Sequence, residues 1–290
     1  LGDVYKRQVM IGGTLPMLHS GYRVGRGDTI ILESCEYCNS FLHFFPTVAV
    51  VLNVEADHLD FFKDLDDIKQ SFRRFAQLTP QDGHIVANAD DAGAMDALKG
   101  LPLFTFGCCE GADCQARNLT WQHGRPDFDV VAGGKVYTHL SLRVAGLHNV
   151  YNALAAASAA YVLGIPGKAV RQGLEGFFGA GRRFELKGQY NGARIYDDYA
   201  HHPAELHALL DMAKSLGYDR VICAFQPHTY TRTKALFEDF VQELQIADVV
   251  VLTDIYAARE QNTIGISSRD LADRIPNAYY CPSLRDAAEK

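Results

Sequence analysis

The sequence has 290 residues, of which 48% are hydrophobic and 22% charged, and a formal net charge of −7 at pH 7. This composition is typical of a soluble globular protein with room for two domains. The acidic balance argues against a nucleic-acid-binding platform, which would need a basic surface, and no apolar run is long enough to span a bilayer. We therefore expect a cytoplasmic protein with no nucleic-acid partner and no membrane insertion; its oligomeric state is left open.

From residue 29 onward, apolar runs of strand length alternate with segments of helical periodicity. Continuous apolar runs are typical of parallel strands that are buried on both faces. The predicted elements are TIILES, VAVVLNV, HIVANA and LFTFG as strands, and LDDIKQSFRRFAQL and DDAGAMDALKG as helices. Between residues 114 and 146, short alternating runs separated by glycines predict antiparallel hairpins. An alanine-rich helix over HNVYNALAAASAAYVLGI and another over GIPGKAVRQGLEGF follow.

The stretch GFFGAGRRFE predicts a hinge, so that one domain spans residues 9–181 and the next spans 182–290. After it come the strands RIYDDY, RVICAFQP and DVVVLTDIY and the helices PAELHALLDMAKSL, TKALFEDFVQELQ and SRDLADRI. This rhythm predicts an α/β domain of the doubly wound Rossmann type. Residues 1–8, LGDVYKRQ, have neither strand nor helix periodicity and are interpreted as a non-native leader. LRDAAEK ends the chain within a predicted helix, so the second domain is expected to be incomplete.

Seven cysteines, at positions 35, 38, 108, 109, 114, 223 and 281, allow two interpretations. The odd number and the chain length argue against a disulfide framework. Cys35 and Cys38 have zinc-like spacing, but the later cysteines lack a matching C-x-x-C pair. Reduced, mostly packed thiols are the favoured interpretation, with a structural zinc site as the alternative.

Polar residues cluster where predicted strands end, which is where open α/β sheets bind ligands. The clusters are Glu33 and Glu36 after TIIL, residues 53–58 after VAVVL, residues 197–202 after RIY, and residues 226–232 after RVICAF. A single polar residue at such a position is ordinary capping. Four clusters rich in carboxylate, imidazole or guanidinium groups predict a shared ligand cleft.

Individual residues have both structural and functional interpretations. Glu33 and His58 are either a solvated acid and a capping imidazole or the ligands of a divalent cation that phosphates would complete. Asn149 and Asn152, three residues apart on one helix face, are either a cap or an amide pair that reads a nucleotide base. Arg182 and Arg183 at the hinge are either solvated side chains or a pair placed to bind a phosphate. His202 and Pro203 predict a helix start.

Five motifs, in chain order, resemble those of the Mur ligases, the ATP-dependent ligases of peptidoglycan synthesis. They are ESCEYCNSFLHFFPTVAVVLNVEADHLD, AGLHNVYNALAA, GAGRRFE, DDYAHHPAE and FQPHTYTRT, and the match runs from about residue 9 to the end. The resemblance implies a truncated central ATPase-like domain followed by a Rossmann-like domain for the amino acid. It also implies ATP and Mg²⁺ as cofactors, and UDP-N-acetylmuramate and L-alanine as substrates that are joined through an acyl phosphate.

Residue roles follow from the same resemblance. Glu33 and His58 resemble the magnesium ligands. The ATP contacts would be Asn149 and Asn152 at adenine, Asp198 at ribose and Arg183 at the γ-phosphate. The groups around the amino acid and the sugar carboxylate would be Tyr199, His201, His228 and Arg232, the last three with catalytic roles.

Two features depart from the family pattern. Some Mur ligases have arginine where Thr229 stands, and the phosphate loop G-x-x-x-x-G-K-[ST] is absent from these 290 residues. We therefore expect the chain alone to have no ligase activity. The alternatives are a murein tripeptide ligase of peptidoglycan recycling, a non-catalytic nucleotide-binding module, and a zinc-stabilised scaffold.

Overall fold

A computed structural model describes residues 8–16, 18–58 and 61–290. The chain divides into two compact units, the first ending at Gly181 and the second spanning Arg182–Lys290. Parallel strands and helices occur in both units, which confirms the predicted α/β class. Of the interpreted leader, residues 1–7 lie outside the described residues, whereas Gln8 is the first residue of a strand.

The first unit is built mainly on one large sheet. Its strands are β1 Gln8–Leu15, β2 Ser20–Arg23, β3 Ile30–Leu32, β4 Val48–Val51, β5 His84–Asn88, β6 Leu103–Gly107, β7 Cys114–Gln122, β8 Arg125–Ala132 and β9 Lys135–Ser141. Its helices are α1 Leu65–Gln77, α2 Ala92–Ala97, α3 Leu147–Val162 and α4 Gly167–Glu175, and a 3₁₀ segment covers Tyr37–His43. Among the described residues, the large sheet has the order β4-β5-β6-β7-β8-β9, and β2-β1-β3 form a separate sheet.

Strand direction in the large sheet follows the sequence patterns. β4, β5, β6 and β7 run parallel, as their continuous apolar character predicts. β7, β8 and β9 are antiparallel, which confirms the hairpins predicted between residues 114 and 146. The alanine-rich helix α3 contacts β5, β6, β7 and β8 and buries Val150, Ala153, Leu154 and Ala157 against them. Short methyl side chains let a helix approach a sheet closely, and this interface forms the main core of the unit.

The loop that follows β4 is fastened to the start of α2. Asp91 Oδ1 accepts hydrogen bonds from Ala94 N at 2.6 Å and from Val54 N at 3.1 Å, so one carboxylate caps the helix and anchors the loop. Gly93 permits this approach, because a Cβ at that position would lie 2.1 Å from the Val54 carbonyl oxygen. The backbone leading toward His58 is therefore held in place.

The second unit combines a hairpin with a parallel sheet. Its strands are β10 Glu185–Tyr190, β11 Ala193–Asp197, β12 Ile222–Phe225, β13 Val249–Leu252 and β14 Ala278–Tyr280. Its helices are α5 Pro203–Ser215, α6 Tyr230–Ala235, α7 Phe237–Leu244, α8 Ser268–Ala272 and α9 Leu284–Glu289. β12, β13 and β14 form a parallel sheet in that order, while β10 and β11 pair antiparallel as a separate hairpin.

Two details of this unit differ from the sequence prediction. The strand predicted over RIYDDY forms as β11, but it pairs with β10 and not with the parallel sheet. The single helix predicted over TKALFEDFVQELQ is two helices, α6 and α7, that meet at Leu236, whose φ of −110° and ψ of 26° are not helical. None of the helices in the described part of the chain has the length and apolar character needed to cross a bilayer.

Candidate active site

Four aromatic rings of the second unit lie in a row beyond the carboxyl ends of β11, β12 and β13. Tyr199 and His201 have ring centres 5.3 Å apart, and His201 and His228 are 6.1 Å apart. The row ends at Tyr256, whose ring stacks on His228 at 5.5 Å. Three residues selected from two separate sequence motifs are thus brought together.

Backbone hydrogen bonds fix the loops that carry His228 and Tyr256. Thr229 N donates to the Tyr256 carbonyl at 2.9 Å, and Tyr256 N donates to the Pro227 carbonyl at 2.8 Å. These bonds continue the parallel pairing of β12 and β13 past the strand ends, with His228 opposite Tyr256. The pairing of the sheet therefore fixes the backbone of both residues.

Arg232 belongs to the same group. It lies in the first turn of α6, four residues after His228, and its Nη1 is 3.3 Å from His228 Nδ1. Burial lowers the pKa of His228, and the charges of Arg232 and His201 lower it further, whereas Glu260 acts in the opposite direction. His228 is consequently neutral near pH 7, beside a guanidinium that can bind a carboxylate or phosphate.

Asp198 and Arg183 are connected to this row of rings by hydrogen bonds and an ion pair to neighbouring residues. Asp198 accepts hydrogen bonds from Phe184 N at 2.7 Å and from Ala200 N at 2.8 Å, one on each carboxylate oxygen. Arg183 Nη1 is 3.8 Å from Glu205 Oε1. The same glutamate accepts a hydrogen bond from His201 N at 2.9 Å and lies 3.3 Å from the His201 ring. Arg183 and His201 are thus neighbours of one carboxylate.

Three residues of this group were not predicted from the sequence: Tyr256, Glu205 and Glu260. Tyr256 is the last residue of the predicted strand DVVVLTDIY and Glu260 follows it, so the strand-end rule that identified the other clusters would have found them. Glu260 accepts hydrogen bonds from the backbone N–H of Thr231, at 3.0 Å, and from its hydroxyl. Glu205 is the third residue of the helix capped by His202, the usual position of a capping-box acid.

In the first unit, the predicted metal ligands have different nearest partners. Glu33 Oε2 accepts a hydrogen bond from Gly12 N at 2.7 Å. His58 Nε2 lies 3.4 Å from Glu36 Oε1 and 3.9 Å from Asp57 Oδ2. In the described ranges, no three His, Cys, Asp or Glu side chains form a cluster that could hold a metal ion by themselves. A cation at this position would thus need oxygen ligands from a nucleotide or water in addition to the protein.

Asn149 and Asn152 share one face at the start of α3. The Asn149 amide donates to the Ala145 carbonyl at 2.6 Å, and the Asn152 amide donates to Asn149 Oδ1 at 3.4 Å. The helix cap is Gly146, without a side-chain hydrogen bond, so the capping interpretation of Asn149 is wrong. Asn152 remains exposed, as an amide that reads a ligand must be.

The cysteines are free thiols, and Cys35 and Cys38 are both exposed. Burial raises the pKa of Cys114 to about 11 and that of Cys223 to about 12, so both are protonated and unreactive at neutral pH.

Comparison with known proteins identifies the family of the chain. Residues 23–160 match the model of the Mur ligase middle domain, and residues 182–290 match that of the Mur ligase glutamate ligase domain. The chain therefore belongs to the Mur ligase family, as its five motifs predicted.

Within that family, its curated relatives include UDP-N-acetylmuramate–L-alanine ligases. The protein of that name from Caldanaerobacter subterraneus subsp. tengcongensis is 47% identical over 274 residues, covering 93% of this chain and 60% of the relative. That from Clostridium novyi is 45% identical over 279 residues, covering 95% of this chain and 61% of the relative. The chain spans about three fifths of the length of these relatives.

Solved structures give the same grouping. UDP-N-acetylmuramate-alanine ligase from Thermotoga maritima has a TM-score of 0.80 at 27% identity, with 98% of this chain and 62% of the other covered. A murein peptide ligase from Psychrobacter arcticus has a TM-score of 0.66 at 23% identity, with 98% and 65% covered. The second likeness shows a shared fold alone.

Proposed function

We propose that this chain is part of an ATP-dependent ligase that joins L-alanine to the lactyl carboxylate of UDP-N-acetylmuramate, with an acyl phosphate as intermediate. The observation that carries the proposal is the row of Tyr199, His201 and His228 with Arg232 at its side. Relatives at 45–47% identity that bear this activity's name support the choice of substrates.

The side chains of the second unit suit an amino acid. Arg232 would hold the carboxylate of alanine, because a guanidinium presents parallel N–H donors to such a group. His228, kept neutral by its surroundings, would donate a hydrogen bond to an anionic oxygen without adding charge. Arg183 would contact the transferred phosphate, and Asp198 the ribose. Asp198 already accepts a hydrogen bond from Phe184 N at 2.7 Å, and the guanidinium of Arg183 lies 3.8 Å from Glu205 Oε1.

The side chains of the first unit suit a metal–nucleotide. Glu33 and His58 would hold Mg²⁺, since a carboxylate oxygen and an imidazole fit this ion when phosphate oxygens supply the remaining ligands. Bound there, the ion would offset negative charge on the phosphates. Asn149 and Asn152 would hydrogen-bond the adenine edge. Glu36, 3.4 Å from His58 Nε2, is a further carboxylate for the same ion.

The test uses a fusion that adds to this chain the segments of the Caldanaerobacter relative lying outside the matched region. With Mg-ATP, UDP-N-acetylmuramate and L-alanine, the fusion should release ADP in proportion to added alanine. The 290-residue chain alone should release none, because it has no phosphate-loop sequence. A folded fusion that binds ATP but shows no alanine-dependent ADP release would refute the proposal. ADP release with murein tripeptide in place of alanine would support the recycling ligase.

A further inference from the structure

We propose that His201 and His228 hold opposite neutral tautomers, and that Nε2 of His201 is the base that takes the proton from the incoming amino group. The inference deepens the proposed function and rests on it for the identity of the substrate. The tautomers themselves follow from the hydrogen-bond partners of each ring, which belong to the second unit alone.

The hydrogen-bond partners of His201 determine which ring nitrogen carries the proton in the neutral state. Nδ1 lies 3.0 Å from the Tyr199 carbonyl oxygen and 3.3 Å from Glu205 Oε2. A carbonyl oxygen has no proton to give, and a carboxylate accepts, so Nδ1 must be the donor. In the neutral ring the other nitrogen, Nε2, then carries the lone pair. His201 therefore presents a proton acceptor at the end of the ring that points away from these partners.

Backbone hydrogen bonds fix the position of Glu205, so its carboxylate favours the His201 tautomer with the proton on Nδ1. Its Oε2 accepts hydrogen bonds from the backbone of His201 at 2.9 Å and of His202 at 3.2 Å, as the acid of the α5 capping box. When His201 takes up a proton, the imidazolium has a carboxylate 3.3 Å from Nδ1 to offset its charge. The pair resembles the acid–histidine arrangement that orients a general base.

The partner of His228 requires the opposite tautomer. Its Nδ1 lies 3.3 Å from Arg232 Nη1, and a guanidinium can only donate. Nδ1 is therefore the acceptor, and the single proton of the neutral ring is on Nε2. A ring in this state donates at Nε2 and cannot accept a proton there. The lowered pKa of His228 agrees with a ring that stays neutral.

The proton transfer balances as follows. The ammonium group of the amino acid gives one proton to His201 Nε2, which leaves a neutral amine and an imidazolium. The amine lone pair forms the C–N bond to the carbonyl carbon of the acyl phosphate. Inorganic phosphate leaves with the electron pair of the broken C–O bond, and the second amine proton and the imidazolium proton pass to solvent.

The tautomers are tested on the 290-residue chain by ¹⁵N-histidine NMR at about pH 8.5, two units above the ordinary histidine pKa. The ring-nitrogen resonances of each histidine are assigned by their disappearance in His201→Asn or in His228→Asn. We expect the proton on Nδ1 in His201 and on Nε2 in His228. The Asp270→Asn variant, which changes a capping-box acid away from these rings, should leave both tautomers unchanged. A His201 ring protonated at Nε2 would overturn the inference, whatever the ligase assay shows.

The base is tested by kinetics on the fusion. His201→Asn keeps an N–H donor near the Nδ1 position but has no base, so kcat should fall by about 100-fold or more with little change in the KM for alanine. His228→Gln keeps an N–H donor near the Nε2 position and should lose less than about 10-fold in kcat. A larger loss of kcat in His228→Gln than in His201→Asn would show that His201 is not the base. An inactive fusion with both tautomers as expected would instead count against the proposed function.

Discussion

The hydroxyl of Tyr151 donates a hydrogen bond of 3.0 Å to Asp90 Oδ2, joining α3 to the loop after β5. Asp90 also accepts hydrogen bonds from Cys108 N at 2.6 Å and from Cys109 N at 3.2 Å, after β6. Burial pushes the pKa of Asp90 upward, but the hydrogen bonds from the Cys109 thiol, from Tyr151 and from the two backbone N–H groups together outweigh it and lower the pKa. One carboxylate thus fixes two strand ends to the helix turn that carries Asn149 and Asn152.

Tyr151→Phe should therefore destabilise the first unit by about 1.5–3 kcal/mol, since it removes a hydrogen bond to a charged group. Trp121, the single tryptophan of the chain, lies in this unit and reports its unfolding in urea by fluorescence. The control is Tyr22→Phe in the same unit, whose side chain is 67% exposed and which should change nothing measurable. Equal stabilities of the two variants would contradict the anchoring role of Asp90.

Gly93→Ala should destabilise the same unit by about 1–3 kcal/mol or more, because the added Cβ would meet the Val54 carbonyl oxygen at 2.1 Å and backbone would have to move. The matched control is Gly173→Ala within α4, where a Cβ meets nothing within 4 Å. That change should stabilise the helix by about 0.5–1 kcal/mol. Urea unfolding of both variants gives the comparison, and a neutral Gly93→Ala would show that the loop after β4 yields easily.

Thr229→Gly should stabilise the second unit by about 1 kcal/mol. Thr229 has φ 66° and ψ 145°, a region occupied almost only by glycine and costly for a β-branched residue. Thr229→Ala keeps the backbone penalty and should give no gain. Calorimetric unfolding measures both changes. A gain in the alanine variant as large as that in the glycine variant would assign the effect to the side chain and not to the backbone.

His207 should give the second unit a pH-dependent stability. Its Nδ1 lies 2.6 Å from Glu243 Oε2 on α7, and its Nε2 lies 3.3 Å from Asp211. The hydrogen bond to Glu243, followed by the charges of Glu243 and Asp211, raises the pKa of His207 above 6.5 against a smaller effect of burial. A raised histidine pKa stabilises the fold fully below the unfolded value, and this contribution is lost as pH rises through the folded pKa.

His207→Gln should consequently destabilise the chain more at pH 6 than at pH 9. The side chain is 54% exposed and screened by solvent, so the difference should be only about 0.5 kcal/mol. Calorimetric unfolding of wild type and variant at both pH values measures it. The same loss at pH 6 and at pH 9 would mean that packing, and not charge, is the contribution of His207.

Much of this architecture was readable from residue patterns. Apolar runs without alternation predicted the parallel strands, and alternating runs predicted the β7–β9 hairpins. His202 and Pro203 predicted the start of α5. Such features depend on local periodicity and capping, which a sequence displays directly. Strand pairing does not depend on local periodicity, so β11 was predicted in the parallel sheet, whereas it pairs with β10. The break at Leu236 was also missed, since the apolar spacing continues across it.

For the site, the strand-end rule identified the residues but not their partners. It selected His228 and Arg232 but was not applied to DVVVLTDIY, whose last residue, Tyr256, is brought beside His228 by the pairing of β12 with β13. It grouped Glu33 with His58, whereas Glu36 is the carboxylate that contacts the imidazole. Contacts of this kind depend on side-chain directions within irregular loops, for which neither the helical nor the strand period gives guidance.

The outer edge of β4 has a practical consequence. Within the described ranges β4 is the terminal strand of its sheet, and Val50 on it is 38% exposed. Unpaired amide and carbonyl groups beside apolar side chains recruit further strands, including those of identical molecules. Purified preparations of these 290 residues are thus expected to self-associate as concentration increases. The NMR samples should therefore be dilute, with monodispersity checked by light scattering.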